Sequence, residues 1–229
     1  AGLSIAARLT QLGIDTLIID KNSRIGDNWR NRYHALTFHN QLHVNHLPYV
    51  PFPPTWPTYI PKDMLALWFE SYAAAMELNF WCGMDVTSAS FDDQQQRWLV
   101  ELSTADGTQR KISPRHMVMA TGVSGIPNLP DIEGLSSFAG PKIHSSQYKD
   151  GDDWSGKRAL VIGCGNSGHD IAQDLHSSGA SVTMVQRNPS LVVNIEPSAQ
   201  FPYKLYDEGR SNDECDFITT SMPTPLVKQ

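Results

Sequence analysis

"RALVIGCGNSGHDIAQDLHSSGASVTMVQR", residues 158–187, is the stretch whose reading decides the fold. An apolar run leads into Gly163, Gly165 and Gly168, which complete the spacing G-x-G-x-x-G. A helical pattern with Ala172 and Leu175 follows, and then a second apolar run, "SVTMV". Strand, glycine turn, helix and strand together predict a βαβ unit. Gly163 permits the tight turn, Gly165 lets the backbone approach a diphosphate, and Gly168 lets the helix pack closely on the strand. The diphosphate of a dinucleotide would lie on the positive end of that helix, at Asn166 and Ser167. The glycine spacing alone is a weak signal; the flanking strand, helix and second strand make it specific. The rival is a glycine-rich turn that binds nothing.

The first twenty residues, "AGLSIAARLTQLGIDTLIID", repeat the back half of this pattern. Gly2 falls on Gly168, Ala6 on Ala172 and Leu9 on Leu175. Eighteen residues past Gly2 stands Asp20, with Lys21 after it; eighteen past Gly168 stands Gln186, with Arg187 next. An acidic residue at this point accepts from a ribose 2′-hydroxyl, whereas an arginine accommodates a 2′-phosphate. The first unit is therefore expected to hold FAD or NAD, and the second to prefer NADP. Arg187 as a solvated surface charge is the competing reading.

Between the two units the chain changes character. Residues 3–12 predict a helix closed by Gly13, and residues 16–20 a buried strand. Residues 24–62 are irregular and rich in histidine, proline and aromatics, long enough to predict a functional loop. A helix is expected over 62–77, with Leu65, Trp68, Phe69, Tyr72 and Met76 on one side. "FWCGMDVTSASF" and "RWLVEL" alternate as strands, Asp106-Gly107 signals a hairpin, and "HMVMATG" (116–122) reads as a buried strand. Residues 123–157, rich in proline and glycine, hold the candidate boundary. The predicted architecture is α/β: two dinucleotide-binding, Rossmann-type domains with parallel sheets and a small β-meander, incomplete at both ends. The domains are expected at 1–150 and 151–229.

Composition is that of a soluble globular chain, with 40% hydrophobic and 18% charged residues. A net charge of −6 offers no basic face for nucleic acid. No apolar run is long enough to span a membrane. The three cysteines contain no CxxC, which excludes a disulfide framework or a four-ligand zinc site built from them and suits a reducing compartment, the cytoplasm. His39, His43 and His46 have spacings compatible with a metal site, but the prolines that follow and the lack of a carboxylate favour loop packing. No metal is expected, and oligomeric state is left open.

These units, joined by a β-rich segment ending in "ATG", resemble the flavin-containing monooxygenases, class B flavoproteins, including their plant YUCCA-type relatives. "AGLSIAARL" resembles the end of the FAD fingerprint. "IGDNW" (25–29) resembles the family's Gly-Gly-x-Trp, with Asp27 replacing the second glycine. "MATG" (119–122) resembles the strand returning to the flavin. "FAGPKIHSSQY" (138–148) matches FxGxxxHxxxY, the family's identifying sequence, through Phe138, Gly140, His144 and Tyr148. "LPYVPFPPTWPTY" resembles the proline-rich segment these enzymes carry before a helix. The resemblance runs from residue 1 to about 195.

What the resemblance implies is an NADPH- and FAD-dependent enzyme acting on a small molecule with O2. NADPH reduces FAD, oxygen adds to the flavin as a C4a-hydroperoxide, and one oxygen atom passes to the substrate. It implies FAD contacts at Gly2, Asp20, Lys21, Trp29, Thr121 and Gly122, and NADP contacts at Gly163, Gly165, Asn166, Ser167, Gly168 and Arg187. It places Asn40 as the flavin-side catalytic candidate, with a plain loop residue as the competing reading. Trp29 beside the flavin competes with Trp29 as core packing. His144 is read as structural and Cys164 as a small buried thiol. Tyr148, where Baeyer-Villiger enzymes usually carry tryptophan, favours heteroatom or YUCCA-type oxygenation over ketone insertion. Two rivals stand beside this reading. A disulfide reductase would need a redox CxxC, and a non-catalytic NADP-binding remnant would bind no flavin. The chain is also expected to be a piece of a longer enzyme, inactive as an oxygenase by itself.

Overall fold

The structure is a computed structural model that describes residues 1–122 and 125–223, without the side chains of Pro197, Phe201 and Pro202. It forms two packing units. Residues 1–33 and 62–148 make the first, and residues 34–61 and 149–229 the second. The irregular segment 34–61 therefore packs with the residues that follow 148.

In the first unit, α1 (Gly2–Gln11) buries Ala6 and Ala7, and Gly13 turns the chain with φ +73°. Then come β1 (Ile18–Asp20), the short α2 (Asp27–Arg30) and α3 (Lys62–Ala75). The α3 helix has no glycine or proline inside it, and it buries Leu65, Ala66, Tyr72 and Ala73. Next, β2 (Phe80–Cys82) pairs in parallel with β1, Ile18 opposite Phe80.

The run from Phe80 to Phe91, expected as one alternating stretch, is split at Gly83. This residue has φ +68°, and its N–H donates to the Asn22 carbonyl over 2.7 Å. The left-handed glycine turns the chain out of the parallel pair and into β3 (Met84–Asp92). β3, β4 (Arg97–Thr104) and β5 (Gln109–Ile112) then form an antiparallel meander. Met84, Val100 and Leu102 are its core, with Ile19, Trp81, Trp98, Ile112 and Met117 packed against them. The Asp106-Gly107 hairpin forms as expected. Asp106 accepts from the Thr104 hydroxyl and the Thr108 N–H, which hold its carboxyl down at about 2.

Residues 116–122 are not a strand. No strand among the described residues lies alongside them to complete a ladder, and Val118 and Met119 are exposed. The two residues after Gly122 lie outside the described residues.

In the second unit, β6 (Arg158–Ile162), α4 (Asn166–Ser177) and β7 (Ser181–Val185) form the expected βαβ unit. β6 and β7 are parallel in continuous register, from Arg158 opposite Ser181 to Ile162 opposite Val185. The α4 helix buries Ile171 and Leu175. Beyond it, α5 (Asn212–Ser221) is capped by the Ser211 hydroxyl, which accepts from the Glu214 N–H. Segment 34–61 is ordered by backbone bonds of its own. Phe38 N–H reaches the Ile60 carbonyl at 2.9 Å, and Leu42 N–H reaches the Thr58 carbonyl at 2.7 Å. Both packing units are thus α/β with a parallel strand pair, and the first adds the meander.

Candidate functional site

The glycine turn of the second unit can be tested atom by atom. Gly163 has φ +109°, outside the range open to side-chain-bearing residues, and its N–H is tied to the Val185 carbonyl at 2.8 Å. A Cβ on Gly168 would stand 2.5 Å from the Gly163 carbonyl oxygen, so the helix packs directly on the turn. A Cβ on Gly165 would meet nothing within 4 Å. That is room into which a ligand can approach the backbone. Each glycine thus has the geometry its fingerprint position requires. Asn166 and Ser167 are the first two residues of α4, and among the described residues no side chain caps that end, so its first amides remain available to an anion. Arg187 is exposed two residues beyond β7, with no ion pair among the described residues. Cys164, read from sequence as a buried thiol, is half-buried and lies 2.9 Å from the Ser190 hydroxyl.

The sequence did not point to one partner of this turn. His39 Nε2 lies 3.1 Å from Asp170 Oδ2, and His39 Nδ1 lies 3.0 Å from Asn166 Nδ2. The Asp170 hydrogen bond raises the imidazole above the usual histidine range, against the pull of partial burial. Asn40, the flavin-side candidate, follows it in the chain and is half-buried. The three histidines do not converge: His43 faces Asp207 at 3.7 Å and His46 faces Asp216 at 3.5 Å. Among the described residues no cluster of His, Cys, Asp or Glu could hold a metal ion.

In the first unit, Gly2 opens α1, and a Cβ there would sit 3.6 Å from the Ala120 Cβ. Thr121 and Gly122 follow Ala120 directly, so the structure brings Gly2 and the "MATG" segment together. Asp20 ends β1. Its Oδ1 accepts from the Asn22 backbone and side-chain N–H groups, both at 2.8 Å, and Oδ2 has no hydrogen bond among the described residues. Lys21 is exposed and Trp29 half-buried.

Asp27, the departure from Gly-Gly-x-Trp, has a clear role. It is 8% exposed and receives the Ser23 hydroxyl at 2.8 Å, the Arg30 guanidinium at 2.9 Å and the Arg24 guanidinium at 3.2 Å. Burial pushes its carboxyl up, but these donors outweigh it and hold it below the usual carboxylate range. Gly26 before it has φ +89°, and a Cβ there would stand 2.5 Å from the Ala66 carbonyl oxygen. Only a glycine fits where this turn crosses α3. Asp27→Asn should cost about 1–2 kcal/mol of stability at neutral pH. A carboxyl lowered by folding contributes fully above its ordinary value, and that contribution fades as pH falls through the folded value. Melting curves should therefore show the gap between the two proteins closing below about pH 4. A gap unchanged down to pH 2 would refute this role.

The identifying motif is also built from local packing. The Phe138 ring lies over Gly140, where a Cβ would meet it at 2.6 Å. His144 Nδ1 lies 2.9 Å from the Ser146 hydroxyl, and the Gln147 N–H closes the turn on the His144 carbonyl at 2.8 Å. Tyr148 is 3% exposed and tilts against Tyr33, with ring centroids 6.4 Å apart.

Comparison with known proteins returns the likeness that the motifs carry. The indole-3-pyruvate monooxygenase YUCCA1 of Oryza sativa subsp. japonica is 37% identical over 202 residues, which are 88% of this chain and 48% of the relative. The chain spans about half the length of the curated relatives it matches. A flavin-containing monooxygenase from Stenotrophomonas maltophilia superimposes with a TM-score of 0.72 at 26% identity, over 83% of this chain and 56% of that one. The OTEMO complex with FAD and NADP gives a TM-score of 0.68 at 25% identity, over 82% and 37%. Among the described residues no helix is long and apolar enough to cross a membrane. The family model described as pyridine nucleotide-disulphide oxidoreductase matches residues 1–202, β6, α4 and β7 included, and the chain belongs to that family.

Proposed function

We propose that the protein acts as an NADPH- and FAD-dependent monooxygenase that delivers one atom of O2 to a small organic substrate. The observation that carries this reading is the glycine turn of the second unit, with its helix packed on Gly163 and a free arginine beyond the next strand. The names of the relatives, indole-3-pyruvate monooxygenases, support an aromatic 2-oxo acid as the substrate, beside the N- or S-bearing substrates of the wider class. When bound, the reduced flavin supplies the electrons that activate O2.

The chain's own residues bind and orient. Gly163, Gly165 and Gly168 with the amides of Asn166 and Ser167 would hold the NADP diphosphate, and Arg187 the 2′-phosphate. Asp20 Oδ2 would accept from the FAD ribose, with Lys21 beside it. Gly2, Thr121, Gly122 and Trp29 would border the rest of FAD, and Asn40 would face the flavin. On this reading residues 1–150 serve FAD, save for His39 against the glycine turn of the second unit, and residues 151–229 serve NADP. The three thiols are free and none forms a CxxC, which favours oxygen chemistry over disulfide reduction. Free thiols also suit the cytoplasm.

The test, made on a protein of the relatives' full length that carries these residues, is oxygen uptake with NADPH, FAD and indole-3-pyruvate, with hydrogen peroxide assayed alongside. Uptake recovered wholly as peroxide, whatever the acceptor, would refute the reading. Within it, Asp20→Ala in that protein should weaken FAD binding at least about tenfold, from the loss of a charge-assisted bond, and leave NADPH affinity unchanged. A fall in NADPH affinity instead would mean the two nucleotide assignments are reversed.

A further inference from the structure

We infer that His39 is a positioning residue for the dinucleotide: braced by Asp170, it sets which end of the Asn166 amide faces the ligand. The inference rests on the NADP reading of the second unit. All three side chains lie in that unit, and both ring nitrogens are engaged, Nε2 with Asp170 at 3.1 Å and Nδ1 with Asn166 at 3.0 Å. Asn166 is the first residue of α4, inside the glycine fingerprint, and is exposed. The backbone of His39 is fixed as well, because its carbonyl accepts from the buried Gln200 side chain at 3.0 Å.

The ring chemistry couples proton to amide. A neutral ring with its proton on Nε2 donates to Asp170 and accepts at Nδ1 from the Asn166 NH2 group, which leaves the amide oxygen as the free end. A doubly protonated ring donates at both nitrogens. Asn166 must then offer its oxygen to the ring, and the NH2 becomes the free end. A diphosphate is an acceptor only. It is received by the NH2-out form, with a cationic ring beside it, and opposed by the oxygen-out form. Among the described residues the titratable group hydrogen-bonded to His39 is Asp170; Asn166 and Gln200, also bonded to it, do not titrate.

A plain fastening role would be shared by the other histidine–aspartate pairs of segment 34–61. His34 faces Asp150 at 3.2 Å and His46 faces Asp216 at 3.5 Å, but neither ring has a second partner in the fingerprint. This separates the two roles by experiment. NADP+ is titrated into the 229-residue chain from pH 5.5 to 8.5 for the wild type, His39→Gln, Asp170→Asn and His46→Gln. The ligand's own 2′-phosphate titrates near pH ~6 and affects all four alike, so the ratio of wild-type to variant affinity isolates the ring. That ratio for His39→Gln should fall about fivefold as pH rises across the range, as a charged donor is lost. Asp170→Asn should move the step to lower pH, and His46→Gln should show a flat ratio. A flat ratio for His39→Gln, or an equal slope for His46→Gln, overturns the inference while NADP+ still binds. No NADP+ binding by the wild type overturns the NADP reading and the inference together.

Discussion

Gly168→Ala should lower the melting temperature of the second unit and remove most of its NADP+ affinity. The new Cβ would lie 2.5 Å from the Gly163 carbonyl oxygen and 3.2 Å from its carbon. Both atoms are backbone, so no rotamer change relieves the contact, and α4 or the turn must shift. Overpacking of this kind costs about 1–3 kcal/mol, and backbone on the receiving side puts it near the upper end. Gly163 cannot easily absorb the shift, because its φ of +109° already lies where few conformations are open. The displaced amides would then miss the diphosphate, with a loss in affinity of about tenfold or more. Gly165→Ala is the informative contrast. Its φ is −75° and its Cβ would meet nothing within 4 Å, so the fold should keep its melting temperature while the ligand loses its approach. Melting curves and NADP+ titrations on both variants check this. A Gly168→Ala protein with wild-type melting, or a Gly165→Ala protein that unfolds early, would show the turn to be built differently.

The contrast explains what was legible in the sequence. The second βαβ unit could be read because the close contact of Gly168 with Gly163 is local and the flanking strand, helix and second strand lie within about thirty residues of sequence, so glycine spacing and apolar pattern together encode the geometry. The same holds for the Asp106-Gly107 hairpin and for α3. Reading failed where the outcome depends on a distant partner. Residues 116–122 carry the composition of a buried strand, yet a strand exists only if another runs beside it, and among the described residues none does. The Phe80–Phe91 run looked continuous because alternation carries no information on which neighbour a strand chooses; Gly83 hands β2 to β1 and β3 to β4. The His39–Asp170 contact joins residues 131 apart, and no local pattern marks it. Asp27 was visible only as a departure from a motif; its ring of donors from Ser23, Arg24 and Arg30 is what makes a carboxylate tolerable there.

Arg187→Ala should separate NADPH from NADH. Arg187 is exposed, has no ion pair among the described residues, and lies two residues beyond the strand that follows the fingerprint helix. Among the described residues no ion pair depends on its charge, so removal should change stability by less than about 0.5 kcal/mol. A guanidinium with no carboxylate to satisfy it keeps its donors for a ligand, and the 2′-phosphate is the one group by which NADPH differs from NADH at this end of the molecule. A single charge-assisted bond is worth about 1.5–3 kcal/mol, so the dissociation constant for NADPH should rise about ten- to a hundredfold. The constant for NADH, which offers only a hydroxyl there, should change less than about threefold. The salt dependence should change with it: a phosphate held by an exposed arginine is screened by added salt, so NADPH affinity should fall with ionic strength in the wild type and less steeply in the variant. Equal weakening of both nucleotides, at unchanged melting temperature, would mean that Arg187 acts on the shared part of the dinucleotide and that the preference for NADP resides elsewhere.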